Sequence, residues 1–421
     1  MAERTLADEN SIHEYDIAIV GGGPGGTTCA LRLADSGLKV VLLEKEQFPR
    51  DKICGDALSG KVVSTLKYVQ PELVPSLYDF SEKLGSWGIR FFAPNGQALD
   101  VPFKRERDTA SQNAPGFISK RLDFDHFLWR EVEKRQHCTL IQNQRLQQAT
   151  SSPDGIVLKT ADHHIKAKLA IGADGAHSIL AKELQGTRKI EKAHHSGGIR
   201  AYFKGVTDFH DENFIELHYL KDLLPGYFWI FPLPNGWANV GLGMLTKDLS
   251  RLKVNLRQRL DQIIAEHPLI APRFEQAEQI GKTMGFGLPL GSKKRIISGD
   301  HFMLVGDAAS LIDPFTGEGI GNAMLSGKIA AEKAMLAFER QDFSAKALAD
   351  YDVAVWKKMG RELQLSHQMQ KLVNYPWLFN FVVRKANKNQ SIQTMLTMMF
   401  ESLDIRKELK KPSFYWRLLR N

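Results

Sequence analysis

The sequence predicts an α/β protein made of a parallel-sheet domain, an inserted, mainly antiparallel β-sheet domain and a helical C-terminal region. Three observations predict it. Residues Asp16 to Glu44 carry a complete βαβ pattern, residues 195–290 break into short runs of alternating polarity, and a late glycine cluster opens an apolar-periodic helix at Ile320.

In the βαβ unit, an apolar run from Ile17 to Val20 enters G-G-G-P-G-G, an amphipathic segment from Thr27 to Ser36 follows, and a second apolar run, Val40 to Leu43, ends on Glu44. Gly21 lets the chain turn out of the strand, Gly23 leaves room for a pyrophosphate, and Gly26 lets helix and strand pack closely. The helix N-terminus offers unpaired N–H groups and a positive dipole end to phosphates. Glu44 follows at the distance where a carboxylate accepts both hydroxyls of an adenosine ribose, which argues for a ribose without a 2′-phosphate. The unit therefore predicts a Rossmann-like, dinucleotide-binding domain.

Downstream, F-P-R-D-K-I-C-G-D (Phe48 to Asp56) reads as a loop that puts Arg50 and Lys52 beside the nucleotide. Cys54 is a redox thiol, an acid or a packing residue, and spacing alone favours packing. A helical segment from Gln112 to Gln136 carries Arg121, either a phosphate clamp or a solvated helix-end residue. The strand Leu169 to Ile171 runs into G-A-D-G-A-H-S, where Gly172 and Gly175 flank Asp174; alone this is a plain turn. The strand Phe302 to Val305 leads to G-D-A-A, and beyond Asp313 and Pro314 lies G-E-G-I-G-N-A, a second helix N-terminus able to hold negative charge. The helix it opens runs from Ile320 through Ala334.

Between these elements, Gly198 to Phe203, Phe214 to Tyr219, Tyr227 to Pro232 and Ala238 to Met244 read as antiparallel strands. Alternation puts Tyr227, Trp229 and Phe231 on one face, which either lines an apolar cavity or packs into a core. Periodicity alone favours the core.

Composition adds bounds. The 421 residues can bury a large core, and no apolar run is long enough to cross a bilayer. The first fourteen residues lack an apolar signal core, and three unpaired cysteines suit a reducing compartment, so cytoplasmic residence is expected. No zinc site or other metal site is expected. The net charge is +8, of which +6 falls from Arg384 onward, interleaved with residues such as Met395, Phe400 and Trp416. That mixture suits a peripheral contact with an anionic membrane face or, equally, a helical cap with a solvated basic side. No motif supports nucleic acid binding.

Together these segments resemble the geranylgeranyl reductase family, flavoproteins built like p-hydroxybenzoate hydroxylase. The resemblance runs from about Tyr15 to Ala334. It rests on the first glycine loop, on Pro49 to Gly55, on Tyr227, Trp229, Phe231, Pro232, Gly241 and Gly243 as the family's Tyr-x-Trp-x-Phe-Pro and Gly-x-Gly signature, and on V-G-D-A-A-S-L-I-D-P-F-T-G-E-G-I. Asp56 departs from the pattern, standing where many members have another glycine.

The resemblance implies FAD as cofactor. Gly21, Gly23, Gly26 and Glu44 would hold its ADP half, helped by Arg50 and Arg121. Asp174, Gly175 and Asp307 would meet the pyrophosphate region and ribityl chain, and Pro314, Gly317, Glu318, Gly319 and Ile320 the isoalloxazine. Cys54 would face the flavin, with Cys54, Tyr227 and Trp229 as candidate catalytic residues and a bound water as another proton donor. Tyr227, Trp229, Phe231, Gly241 and Gly243 would line the substrate cavity. The implied activity is saturation of isolated double bonds in a hydrophobic prenyl chain, with NAD(P)H or ferredoxin as electron source.

Two other activities remain open on this scaffold: an oxygen-using hydroxylase or halogenase, and a non-catalytic prenyl-binding escort. The expected domains are 14–75, 106–185 and 281–340 for FAD, 76–105 and 186–280 for substrate, and 341–421 for the helical region.

Overall fold

The computed structural model describes residues 12–103, 113–186, 189–389, 392–394 and 397. The C-terminal segment with most of the basic and aromatic residues noted above lies outside the described residues.

The first sheet is built on the predicted unit. Strand Ile12–Val20 pairs in parallel with Val40–Leu43 on one side and His164–Gly172 on the other; Cys138–Ile141 and Phe302–Leu304 extend the parallel set, and a short antiparallel hairpin, Gln148–Ser152 with Gly155–Lys159, attaches to His164–Gly172. Ile17, Ala18, Ile19 and all of Val40–Leu43 are buried, as strands covered on both faces must be. The first helix is Pro24–Arg32, with Pro24 in its first turn where a missing N–H costs nothing. It lies between this sheet and the long helix Ile320–Arg340. Its crossing with that helix is close: a Cβ on Gly327 would stand 2.2 Å from the Gly25 carbonyl oxygen.

Two helical expectations change. The segment expected from Thr27 to Ser36 starts and ends earlier, because Ser36 Oγ donates to the Leu33 carbonyl and Gly37 turns the chain at positive φ. The helix expected over Gln112 to Gln136 begins only at Arg121 and ends at Glu133. Gly116–Ile118 is instead the central strand of a three-stranded sheet with Ala57–Leu58 and Leu84–Ser86, so tertiary pairing overrides local pattern there.

The second sheet has seven strands in the order Glu278–Pro289, His195–Lys204, Trp237–Leu245, Tyr227–Leu233, Ile215–His218, Gly88–Phe92 and Ala98–Pro102. All neighbours are antiparallel except Ile215–His218 with Gly88–Phe92. One face packs on helix Leu256–Glu266 through Phe228, Ile230, Leu242 and Leu260. The opposite face carries Tyr227, Trp229 and Phe231 and looks toward the first domain. Beyond Arg340, helices Ala345–Leu372 and Pro376–Lys388 form the expected helical region, the second against strand Ala98–Pro102.

Candidate active site

The predicted glycine turn leads from strand Ile12–Val20 into the N-terminus of helix Pro24–Arg32. The open side of Gly23, where a Cβ would stand, faces the guanidinium ends of Arg50 and Arg121 at 3.8 and 3.9 Å. Both arginines are fixed by Asp125, a residue the sequence reading passed over. Arg121 Nε and Nη2 donate to its two oxygens at 2.6 Å each, and Arg50 Nη1 donates to Oδ2 at 2.6 Å. Burial alone would raise the Asp125 carboxyl; Arg121 and then Arg50 outweigh it and hold it below the usual range. The only sequence signal was the four-residue spacing from Arg121 to Asp125 on one helix.

Glu44 accepts from Gly22 N at 3.0 Å and Glu46 N at 3.1 Å, which pins its carboxylate at the end of Val40–Leu43. Gly26 sits so close to the preceding turn that a Cβ would be 2.0 Å from the Gly21 carbonyl oxygen. Asp174 Oδ2 accepts from Ile179 N and Leu180 N at 2.7 and 3.2 Å, while its Oδ1 is buried with no hydrogen-bond partner among the described residues. Gly175 follows at φ +80°. Lys52 Nζ donates to Asp307 Oδ2 at 3.2 Å, and Gly319 lies beside the other Asp307 oxygen. Two arginines converging on a helix N-terminus, an acid pinned at a strand end and an orphaned buried carboxylate oxygen fit FAD as a guest.

The second glycine cluster is shaped by Asp313, whose Oδ1 accepts from Phe315 N, Thr316 N and Thr316 Oγ1 at 3.0, 2.8 and 3.0 Å. Gly317 adopts φ +75°, a conformation glycine takes without a side-chain clash. Ile320 opens the long helix, and Glu318 turns back to accept from Gly321 N at 2.7 Å and Ser59 Oγ at 3.2 Å.

This turn forms one wall of an apolar cavity of about 170 Å3. Cys54, Pro314, Gly317, Gly319 and Ile320 border it on the side of the first domain, and Tyr227, Trp229, Phe231 and Gly243 on the side of the second sheet. Tyr227 OH donates to the Thr316 carbonyl at 3.0 Å, tying the two walls together. Trp229 packs against Gly241, where a Cβ would be 2.3 Å from the indole and 2.2 Å from the Ile199 carbonyl oxygen. Gly241 thus leaves room for the indole from behind and does not itself line the cavity as expected, whereas Gly243 does. Gly241→Ala is expected to cost about 1–3 kcal/mol and to displace Trp229; an unaltered near-ultraviolet circular dichroism spectrum would contradict this.

Sequence reasoning noted Asp56 only as a departure from a pattern. It is fully buried at φ +67° in the cavity wall. Tyr202 OH and Asn239 Nδ2 each donate to its Oδ2 at 2.8 Å. Asn239 in turn accepts from Trp229 Nε1 at 2.9 Å and donates to the Cys54 carbonyl at 2.8 Å. Burial pushes the Asp56 carboxyl up to about 6, against the lowering pull of those two hydrogen bonds and of Arg200. Burial also raises the Cys54 thiol and the Tyr227 phenol, which keeps both neutral.

Residues 198–286 match the geranylgeranyl reductase catalytic domain, and residues 15–196 match the pyridine nucleotide-disulphide oxidoreductase domain. Conditioned medium factor receptor 1 of Dictyostelium discoideum is 32% identical over 383 residues, 86% of this chain and 71% of that protein. The chain belongs to the geranylgeranyl reductase family. It is an FAD-dependent oxidoreductase. Among other members, the digeranylgeranylglycerophospholipid reductase of Thermoplasma volcanium is 28% identical over 356 residues, 83% of this chain and 85% of that enzyme.

The family fold is also seen in a geranylgeranyl bacteriochlorophyll reductase-like protein from Thermoplasma acidophilum. It aligns with a TM-score of 0.79 at 23% identity over 95% of this chain and 99% of the other. A flavin-dependent brominase aligns at 0.73 and 20% identity, covering 94% and 98%, a likeness of fold alone.

Proposed function

We propose that this geranylgeranyl reductase family member saturates isolated double bonds of a prenyl chain carried on a membrane lipid. The observation that carries the reading is the apolar cavity walled on one side by Tyr227, Trp229 and Phe231 and on the other by the Gly317 to Ile320 turn. A flexible hydrocarbon entering it meets the FAD cradle directly. The names of the reductase relatives support the same substrate class.

When bound and reduced, FAD supplies a hydride; the protein's own groups supply position, dryness and a proton. Apolar burial holds the chain at about 25 cal/mol per Å2 of surface removed from water. The indole of Trp229, locked by Asn239, presents a face that favours positive charge developing on an alkene. Tyr227 acts as a strut, because its hydroxyl proton is already given to the Thr316 carbonyl.

Of the candidate acids, burial raises the Cys54 thiol and the Tyr227 phenol so that both hold their protons firmly, whereas the Asp56 carboxyl is pushed up only to about 6. Asp56 therefore holds the proton for the second alkene carbon. Tyr202 links it toward Arg200, whose guanidinium lies over the Tyr202 ring and pairs with the half-exposed Asp51.

The test is anaerobic turnover of a geranylgeranyl lipid by the dithionite-reduced holoenzyme, read by mass spectrometry. Products heavier by two hydrogens per saturated bond are expected. A product formed only with oxygen would replace this reading by the hydroxylase or halogenase one.

A further inference from the structure

Saturating an alkene consumes one proton per bond, and the acid that holds this proton stands in the wall of an apolar cavity. Each turnover leaves Asp56 ionised. A proton must then reach it again from solvent without water flooding the place where the hydrocarbon sits.

The hydrogen bonds of the Asp56 carboxylate limit the routes. Three groups donate to it among the described residues: Tyr202 OH and Asn239 Nδ2, each 2.8 Å from Oδ2, and the Arg121 backbone N, 3.3 Å from Oδ1. A backbone amide keeps its proton, so the Arg121 N–H passes nothing on. Asn239 is equally inert. The Trp229 indole N–H can only donate, and it holds the Asn239 oxygen at 2.9 Å, which fixes the amide's orientation. The amide nitrogen is then spent on the Cys54 carbonyl and on Asp56. Tyr202 alone brings a hydroxyl, a group that gives one proton while taking another.

The phenol also lies on the way out. Tyr202 is half-buried near the end of strand His195–Lys204 and does not line the apolar cavity. Beside it, Arg200 pairs with the half-exposed Asp51. Two cations lie over the Tyr202 ring, the Arg200 guanidinium at 4.0 Å and the Lys120 ammonium at 5.3 Å from its centroid. They favour the negative charge that gathers on the phenol while its proton shifts to Asp56. Burial first, and then Asp56, nevertheless raise the phenol far above its ordinary value. No phenolate persists, so one proton arrives as the other leaves.

We propose that Tyr202 is the proton inlet of the site, a positioning residue that acts through Asp56: its hydroxyl passes a proton to Oδ2 of the ionised carboxylate and regains one from solvent. The Tyr202 O–H bond breaks as the Asp56 O–H bond forms, a hydronium ion restores the phenol, and no electrons move. That Asp56 serves an alkene rests on the reductase reading above; that Tyr202 loads Asp56 does not.

The experiment is a pH jump from 8 to 5 on the holoprotein, followed through the infrared band of the protonated Asp56 carboxyl, which is assigned by its absence from Asp56→Asn. In Tyr202→Phe the band is expected to rise at least about tenfold more slowly. A role confined to packing predicts the reverse, because a loosened wall admits water and quickens protonation. An unchanged or faster rise overturns the proposal. A second measurement leaves the chain intact: in mixtures of H2O and D2O the wild-type rate should fall along a curve, as two protons moving together require. A straight line, the sign of one transfer directly from water, overturns the proposal as well. Neither readout depends on turnover. If Asp56→Asn keeps wild-type turnover, the role of Asp56 toward the alkene fails, and the inlet is still decided by these rates.

Discussion

Asp56→Asn is expected to lower turnover by about a hundredfold or more, the usual worth of a positioned general acid, while making the folded protein more stable at pH 8. The two effects have one cause. Burial raises the Asp56 carboxyl from 3.8 to about 6. Between those values the folded chain holds a proton that the unfolded chain has released, so the contribution of this group to stability is fully present below pH 3.8 and is lost as pH rises through about 6. Above pH 6 the ionised carboxylate costs on the order of 3 kcal/mol relative to acid conditions.

Asparagine removes that cost and suits the positive φ at this position. Its oxygen can accept from Tyr202 and Asn239 as Oδ2 does now, but its amide then faces the Arg121 N–H that Oδ1 accepts at 3.3 Å. A net gain of about 1–2 kcal/mol is left. Thermal unfolding of the holoprotein at pH 5 and pH 8 measures it: the variant should gain at pH 8 and gain little or nothing at pH 5. In wild type, turnover should decline as pH rises through about 6, because the donor must be protonated. An Asp56→Asn variant that keeps wild-type turnover, or loses stability equally at both pH values, removes Asp56 from the proton path.

Gly26→Ala should yield protein without yellow colour. The added Cβ would stand 2.0 Å from the Gly21 carbonyl oxygen and 3.2 Å from the Ala173 side chain. Neither can retreat easily: Gly21 N donates to the Leu43 carbonyl at 2.7 Å, and Ala173 N to the Val20 carbonyl at 2.7 Å. The first helix must therefore move, and on its other side Gly327 of the long helix already crosses at backbone contact. Pushing the first helix displaces its N-terminal N–H groups from the pyrophosphate position and presses on the helix that Ile320 begins. Both halves of the FAD cradle lose alignment through one methyl group. A fall in bound flavin of at least about tenfold is expected, since overpacking here acts on backbone rather than on a flexible side chain. Gly360→Ala is the control: its Cβ meets Trp356 at an ordinary 3.5 Å inside a regular helix, and alanine there should be neutral or stabilising by up to about 1 kcal/mol. Normal flavin content in Gly26→Ala would refute the close-packing argument.

The βαβ unit, the Gly317 to Ile320 turn and the alternating strand of Tyr227, Trp229 and Phe231 were legible in the chain because each is local. Strand, glycine turn and helix follow within about thirty residues, and the physics that shapes them acts between near neighbours. Resemblance to a family of known flavoproteins then attached a cofactor to those turns. The expected helix that begins only at Arg121 shows the limit: Gly116–Ile118 is a strand because Ala57–Leu58 and Leu84–Ser86 pair with it, and neither partner is near in sequence.

What the sequence by itself determined was the nucleotide-binding fold, the glycine turns with Glu44 at the end of a strand, and the aromatic face. Only the tertiary structure decided what that face meets and which acid titrates near neutrality. Asp56 became significant through Tyr202 and Asn239, 146 and 183 residues away. Asp125 took its role by gathering Arg50, 75 residues distant, onto the same carboxylate as Arg121. Burial and hydrogen bonding set a proton's affinity, and both are properties of the folded neighbourhood rather than of the chain's order.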